Sequence, residues 1–166
     1  MRERHAVRDA RRAREFEAFV AGAAGRLLHV ATLLTAEPPD GSPRARRLLT
    51  LSLAHTYACW DGLRGEDPYD HARRHLATRF AREAWHRHGG VLGPARRRPA
   101  GALGGLTPQE RLVLVLGLSE GVAAEQVAAL LALPVERVRT VHDRAMAALL
   151  HPRPEPARRV ARTAAP

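Results

Sequence analysis

The chain has 166 residues, a formal charge of +10 and a single cysteine, and 45% of its residues are apolar. That length suits one domain or two small ones. All 27 basic residues are arginines, and lysine, asparagine and isoleucine are absent. This bias is typical of a GC-rich genome, so the high charge alone is weak support for nucleic-acid binding.

Several classes of protein are excluded by what the sequence lacks. The N-terminus has no apolar core of a signal peptide and no 18-residue apolar run is apparent, so we expect neither secretion nor a membrane span, and a cytoplasmic protein. Cys59 alone predicts no intrachain disulfide and no thiolate metal site. The sequence has no glycine-rich phosphate loop and no nucleophile elbow, so we expect no enzyme and no cofactor.

The surplus charge lies mostly outside the segments that resemble folded domains. Residues 1–15 carry a net charge of +3, residues 16–88 of +2, residues 89–105 of +3, residues 106–150 of −1 and residues 151–166 of +3. We interpret these segments as a basic arm, a helical domain, a Gly/Pro/Arg linker, a second helical domain and a tail. The arm, linker and tail are expected to be disordered.

Apolar residues recur at helical spacing, and no segment alternates convincingly with period two, which predicts an all-α fold of two small domains. In the first domain, apolar positions mark a helix over Phe16–Leu34. Ser42-Pro43 and Asp67-Pro68 each combine a capping side chain with a first-turn proline. They predict the starts of a second helix and of a third that runs to about His88.

The second domain reads as three short helices. Thr107-Pro108-Gln109-Glu110 predicts a capping box, in which the Thr107 hydroxyl accepts from the Glu110 amide and the Glu110 carboxylate reaches back. Gly121 ends the first helix, and Leu133-Pro134 forms a tight turn between the second and the third. Two short amphipathic helices joined by such a turn are typical of a helix-turn-helix, although a helical hairpin that only packs has the same pattern.

The segment from Val122 to Ala145 resembles region 4 of extracytoplasmic-function sigma factors. The family typically reads L-S-x-x-E-I-A-x-x-L-G-x-S-x-G-T-V-K-S-R-L-x-R-A, and this chain reads V-A-A-E-Q-V-A-A-L-L-A-L-P-V-E-R-V-R-T-V-H-D-R-A. The preceding segment Leu106–Arg111 is similar to the family's L-P-x-x-x-R. Residues 16–88 are similar in type and order to region 2, closest to sigma-E-type members of high-GC bacteria, at Phe16 to Val20, Leu33-Leu34-Thr35, Ala54, Tyr57, Trp60, Asp67-Pro68, Ala72-Arg73-Arg74, Leu76 and Trp85.

The resemblance implies a transcription initiation factor. Its region 2 would bind the RNA polymerase core and the melted −10 strand of promoter DNA, and its region 4 would read the −35 major groove. An anti-sigma factor is a further implied partner. In region 4 the resemblance assigns −35 contacts to Arg139, Thr140 and Arg144, with Arg137 at a position where the family has Thr. Ala132 replaces the usual glycine of the turn, which would cost about 1 kcal/mol if that residue needs a positive φ.

The third helix of region 2 carries the implied −10 contacts. Arg73, Arg74, Arg82 and Arg87 could follow the phosphate backbone, and Trp85 could stack on an unpaired base. Tryptophan at helical spacing can equally well pack into a core.

The second helix carries the implied polymerase contact, at Arg46, Arg47, Leu48 and Leu49. Relatives have an acidic pair where this chain has Arg46-Arg47, so the charge is reversed and like charges could meet there. This reversal motivates an alternative hypothesis, in which a degenerate sigma-like protein serves as a protein-interaction module without initiating transcription.

His71 and His75 are four residues apart on the predicted third helix, a spacing that can share a metal ion. No third ligand is apparent in the sequence, so we expect no metal.

Overall fold

The structure, a computed structural model, describes residues 2–38, 41–88 and 101–151. Three long helices form the N-terminal half. They are α1 (Arg2–Thr35), α2 (Pro43–Ala58) and α3 (Pro68–His88), with a short 3₁₀ turn at Trp60–Gly62 between the last two.

The C-terminal half is built from shorter helices, α4 (Pro108–Leu114), α5 (Ala124–Leu131) and α6 (Val135–Leu150). A 3₁₀ turn at Ala102–Gly105 precedes α4, and a π-helical turn at Val115–Ser119 follows it. The described residues form helices and turns and contain no strand, which confirms the all-α prediction.

Local chemistry fixes the helix starts close to where the sequence predicts them. The capping box at α4 is present, with the Glu110 N–H donating to the Thr107 hydroxyl at 3.3 Å and the Thr107 N–H donating to the Glu110 carboxylate at 2.8 Å. At α2, Ser42 makes no side-chain cap. The Glu37 carboxylate instead accepts from the N–H groups of Arg44 and Ala45, because it lies at the positive end of the helix dipole.

The prediction of a disordered basic arm is wrong for the described part of residues 1–15, which continue α1 without a break. Arg11 pairs with Glu15 one turn later at 2.7 Å. Arg12 donates to the Tyr57 carbonyl oxygen and its guanidinium lies 4.4 Å from the centre of the Tyr57 ring. These contacts hold part of the basic surplus on an ordered helix. Residues 89–100 of the predicted linker and 152–166 of the tail lie outside the described residues.

The two halves pack against each other through one hydrophobic core. Buried side chains of α1, α2 and α3 and buried side chains of α4, α5 and α6 belong to the same cluster. The members contributed by the N-terminal half include Val30, Leu34, Leu48, Leu76 and Phe80, and those of the C-terminal half include Leu112, Val113, Leu116, Val127, Val138 and Val141. Helix ends are joined as well, because the buried Arg111 of α4 donates to the Leu34 carbonyl oxygen at 3.0 Å.

The α1 helix is long and apolar enough over one 18-residue window to cross a membrane, by length and composition only. Its apolar face is already used, because Leu27, Val30, Ala31 and Leu34 are fully buried in the protein core. We therefore interpret α1 as a core helix.

Candidate functional site

Helices α5 and α6 form the helix-turn-helix that the sequence predicts. The turn between them depends on Ala132, which has φ 52° and ψ 45° in the left-handed region. There the Leu133 N–H donates to the Ala128 carbonyl oxygen at 3.0 Å, which closes the end of α5. The sequence analysis left open whether this position needs a positive φ, and the structure shows one, so an alanine here carries the steric cost that glycine avoids.

The exposed face of α6 carries the residues predicted to contact DNA. Arg137, Thr140 and Arg144 are spaced by three and four residues, so they lie in one stripe, and all three are exposed. Arg139 lies on a different side of the helix, where its guanidinium binds the Glu136 and Glu125 carboxylates at 2.8 and 3.1 Å. The stripe of Arg137, Thr140 and Arg144 therefore presents two arginines without a carboxylate partner among the described residues, whereas Arg139 is neutralised.

A cavity of about 920 Å³ opens between α2 and α3. Its lining includes five arginines, namely Arg44, Arg47, Arg74, Arg79 and Arg82. We call it the arginine cavity. Arg74, predicted as a −10 contact, pairs with the Glu66 carboxylate, while Arg82 is exposed at the cavity.

The other predicted −10 residues of α3 lie in different surroundings. The Arg73 side chain is only 17% exposed and is held by Asp70 and Glu120 at 3.0 and 3.5 Å. Trp85 is 83% exposed, so it does not belong to the core and its ring is open to a stacking partner. The Arg87 side chain lies outside the described residues, and its role stays a prediction.

The predicted polymerase contact on α2 is divided between surface and core. Arg46 and Arg47 are exposed. Leu48 is 1% exposed and belongs to the core that joins the two halves, and Leu49 is partly buried against Leu27 and Ala72. The structure thus offers the two arginines as surface residues and not Leu48, because the helix face that Leu48 occupies is covered by the protein itself.

Glu120, which sequence reasoning missed, lies at the contact between the halves. Its carboxylate, only 1% exposed, accepts from the Arg26 guanidinium twice at 3.2 Å and from the Tyr69 hydroxyl at 2.8 Å. Arg73 completes the group. Burial, followed by the hydrogen bond to Glu120, raises the pKa of the Tyr69 phenol above its usual value, so it remains a donor. We call these four residues the Glu120 cluster.

The sequence analysis found only part of a second cluster, the pair His71 and His75. His55 and Cys59 of the α2 end lie beside His71 of α3, with their ligand atoms all within 4.8 Å of one another. The His75 ring stacks on the His55 ring at 4.0 Å between centroids. Burial, and then the neighbouring His55, lowers the pKa of His75 to about 4, so its imidazole is neutral. The signal that could have revealed this group is the repeated spacing of four residues, His55 with Cys59 and His71 with His75.

Residues 102–151 match the family model of sigma-70, region 4. This match covers α4, α5 and α6 together, so the helix-turn-helix described above lies within the segment that is similar to sigma-70 region 4. The prediction made from the segment Val122 to Ala145 is confirmed at the level of this domain.

The fold of the chain is similar to a solved sigma factor, RpoE of Bartonella quintana, in a co-crystal structure with the anti-sigma factor NepR. The TM-score is 0.59 at 19% sequence identity, and the match covers 81% of this chain and 94% of that chain. The protein therefore has the fold of a sigma factor across both halves, as the resemblance predicted. No curated protein sequence matches the chain.

Proposed function

We propose that the protein is a sigma-like transcription initiation factor that binds the RNA polymerase core and promoter DNA and acts in the cytoplasm. In this proposal residues 16–88 serve as the region 2-like domain and contact the −10 strand. Residues 106–150 serve as the region 4-like domain and contact the −35 duplex.

The observation that carries the proposal is the exposed stripe on α6. A major groove admits one α-helix, and arginines on that helix can bind guanine edges or phosphates. Arg137, Thr140 and Arg144 lie on one exposed face of the second helix of a region 4 domain. Thr140 also bonds to the Glu136 carbonyl oxygen at 2.8 Å, which orients its methyl group and hydroxyl.

Reading both promoter elements at once requires the two halves to separate. The −35 and −10 elements are separate sites along the promoter, and each intervening base pair of B-form duplex adds about 3.4 Å between them. A compact unit of about 150 residues is only roughly 40 Å across. We therefore propose that the packed arrangement is that of the free or partner-bound protein, and that contacts such as the Glu120 cluster open when the protein engages polymerase.

Duplex DNA binding tests the role of α6. We expect R137A and R144A each to reduce the slope of log affinity against log salt by about 0.9, because each removes one phosphate contact. Fluorescence anisotropy with a labelled −35 library measures both affinity and slope. The control is R64A, an exposed arginine of the N-terminal half, which should leave duplex affinity unchanged. Identical slopes for R137A and the parent chain would contradict the proposal.

A polymerase-binding experiment distinguishes the two hypotheses, a transcription initiation factor and a protein-interaction module that does not initiate transcription. We expect the full chain to be retained by bacterial core RNA polymerase at low salt. If it is not retained, the R46E/R47E variant distinguishes the reasons, since it restores the acidic pair that relatives carry at this exposed site. Recovery of binding in that variant would support the interaction module for the natural chain.

The fold of this chain is similar to that of a sigma factor that was crystallised with its anti-sigma factor. This similarity supports an anti-sigma factor as a further partner. We propose that an anti-sigma partner binds the packed form of this chain.

A further inference from the structure

Metal-ligand side chains face each other across the contact between α2 and α3. His55 and Cys59 are four residues apart, and the Cys59 N–H donates to the His55 carbonyl oxygen at 3.1 Å, so helical geometry continues up to the thiol. His71 and His75 are four residues apart on α3. Residues at this spacing share one face of a helix. The end of α2 therefore supplies two ligand side chains, and α3 supplies His71, to the same place.

The distances approach those of a tetrahedral site. Cys59 Sγ lies 3.8 Å from His55 Nε2. Zinc bonds of about 2.3 Å to sulfur and about 2.0 Å to nitrogen put these two atoms about 3.6 Å apart in a tetrahedron. His71 contributes the third ligand atom within 4.8 Å. Small side-chain rotations would bring the atoms to coordination distance.

The hydrogen bonds of the α3 histidines are a second, independent observation that points to a metal ion. Nδ1 of His71 is 3.3 Å from the Glu66 carboxylate, and its Nε2 is buried without a hydrogen-bond partner. Nδ1 of His75 is 3.3 Å from the Ser52 hydroxyl oxygen. Histidines that bind zinc usually direct one ring nitrogen to the metal and bond the other to a carboxylate or another oxygen. The unpartnered Nε2 of His71 is the atom that such an arrangement leaves for the metal.

Charge and donor type restrict what the site can hold. His55 and His71 line the arginine cavity, so its five arginines oppose any cation, and binding depends on the Cys59 thiol giving up its proton to become a thiolate ligand. Arg74 pairs with Glu66 and fixes the carboxylate that orients His71. Thiolate and imidazole ligands favour zinc over magnesium or calcium, which prefer oxygen.

We propose that His55, Cys59 and His71 bind a zinc ion, and that this ion links the end of α2 to α3. Binding replaces the proton of the Cys59 thiol with the metal and releases that proton to solvent. The sequence analysis found only His71 and His75 on α3. His55 and Cys59 lie at the end of α2, which comes to lie beside α3 only when the chain folds. The proposal is independent of a role in transcription.

Cobalt binding to the full, metal-stripped chain tests the site. Tetrahedral Co²⁺ with a thiolate ligand gives intense visible bands and a sulfur-to-cobalt charge-transfer band. We expect one equivalent of cobalt to produce both, and zinc to displace it. C59S should abolish the charge-transfer band, and H55A and H71A should weaken binding at least tenfold. E66Q should weaken binding about 10–100-fold yet keep the band, because Glu66 acts only through His71.

Alkylation of Cys59 is a second measurement, and it tests the site in the parent chain as well as in a variant. Zinc should protect Cys59 from alkylation in the parent chain and not in H55A, whose replaced side chain is exposed and therefore has little effect on folding. H29A is the matched control, because His29 is an exposed histidine of α1 outside the cluster and its loss should change neither readout.

Two results would overturn the proposal. One is a cobalt spectrum that persists unchanged in both H55A and H71A, which would mean that the thiol binds metal alone. The other is the absence of tetrahedral bands while inorganic phosphate raises the melting temperature of the chain, which would identify the arginine cavity as an anion site instead.

Discussion

The two halves of the protein surround their exposed arginines differently. On α6, Arg139 is neutralised by Glu125 and Glu136, and the segment 106–150 is slightly acidic as a whole. Between α2 and α3, five arginines converge on one cavity, and two of them, Arg74 and Arg79, pair with Glu66 and Glu83. Phosphate attraction depends on charge density, whereas sequence reading depends on a few well-placed side chains. The comparison indicates that the N-terminal half supplies more of the electrostatic attraction and the C-terminal half more of the base contact.

The largest expected effect comes from breaking the contact that joins the halves. E120Q removes the charge that holds Arg26 and Arg73, while an amide retains the shape of the side chain. We expect the free energy of unfolding to fall by about 2–3 kcal/mol, because charge-assisted hydrogen bonds of a buried carboxylate are lost. Urea denaturation measures the loss, and small-angle scattering should show a larger radius of gyration.

The matched control for this prediction is E17Q, since Glu17 is an exposed acidic residue of α1. Its stability and dimensions should equal those of the parent chain. Equal stability and an unchanged radius in E120Q would mean that the apolar core alone holds the halves together.

A smaller effect is expected inside the C-terminal half, at the turn of the helix-turn-helix. A132G should raise the free energy of unfolding by about 1 kcal/mol, because glycine adopts the left-handed conformation without the clash of a β-carbon. A129G is the control, since Ala129 is exposed within α5 and glycine there should destabilise by about 1 kcal/mol. Thermal unfolding followed by circular dichroism measures the increase in stability expected for A132G and the decrease expected for A129G. Destabilisation by A132G would contradict the role assigned to the turn.

Local signals made the helix starts predictable. The capping box at Thr107 and the proline starts of α2 and α3 depend on residues within a few positions of one another, so the sequence states them directly. The turn at Ala132 also has a local signal, because the family has glycine at this position and glycine is common where the backbone is left-handed. The family resemblance added the order of the two domains.

Contacts between distant residues were not predictable in the same way. Glu120 meets Arg26 and Tyr69 only after the halves pack, and no periodicity within α1 or α3 marks that meeting. Leu48 illustrates the same limit from the other side, because its place in a predicted contact motif gave no sign that the C-terminal half would share its core. The ordered basic arm was missed because its charge favoured disorder, whereas its contacts to Tyr57 form only in the folded chain.

The smallest expected effect comes from removing one arginine in each half. This pair of variants tests most directly whether the N-terminal half supplies more of the electrostatic attraction. R82A removes an exposed arginine of the arginine cavity, and R139A removes one that is already paired with two carboxylates. For a single-stranded −10 oligonucleotide we expect R82A to reduce the slope of log affinity against log salt by about 0.7, since one released counterion is lost. We expect R139A to leave the slope unchanged, because its charge is compensated within the protein before DNA arrives. Anisotropy titrations at several salt concentrations compare the two variants directly, and equal slopes would mean that local pairing on α6 does not decide which half attracts the strand.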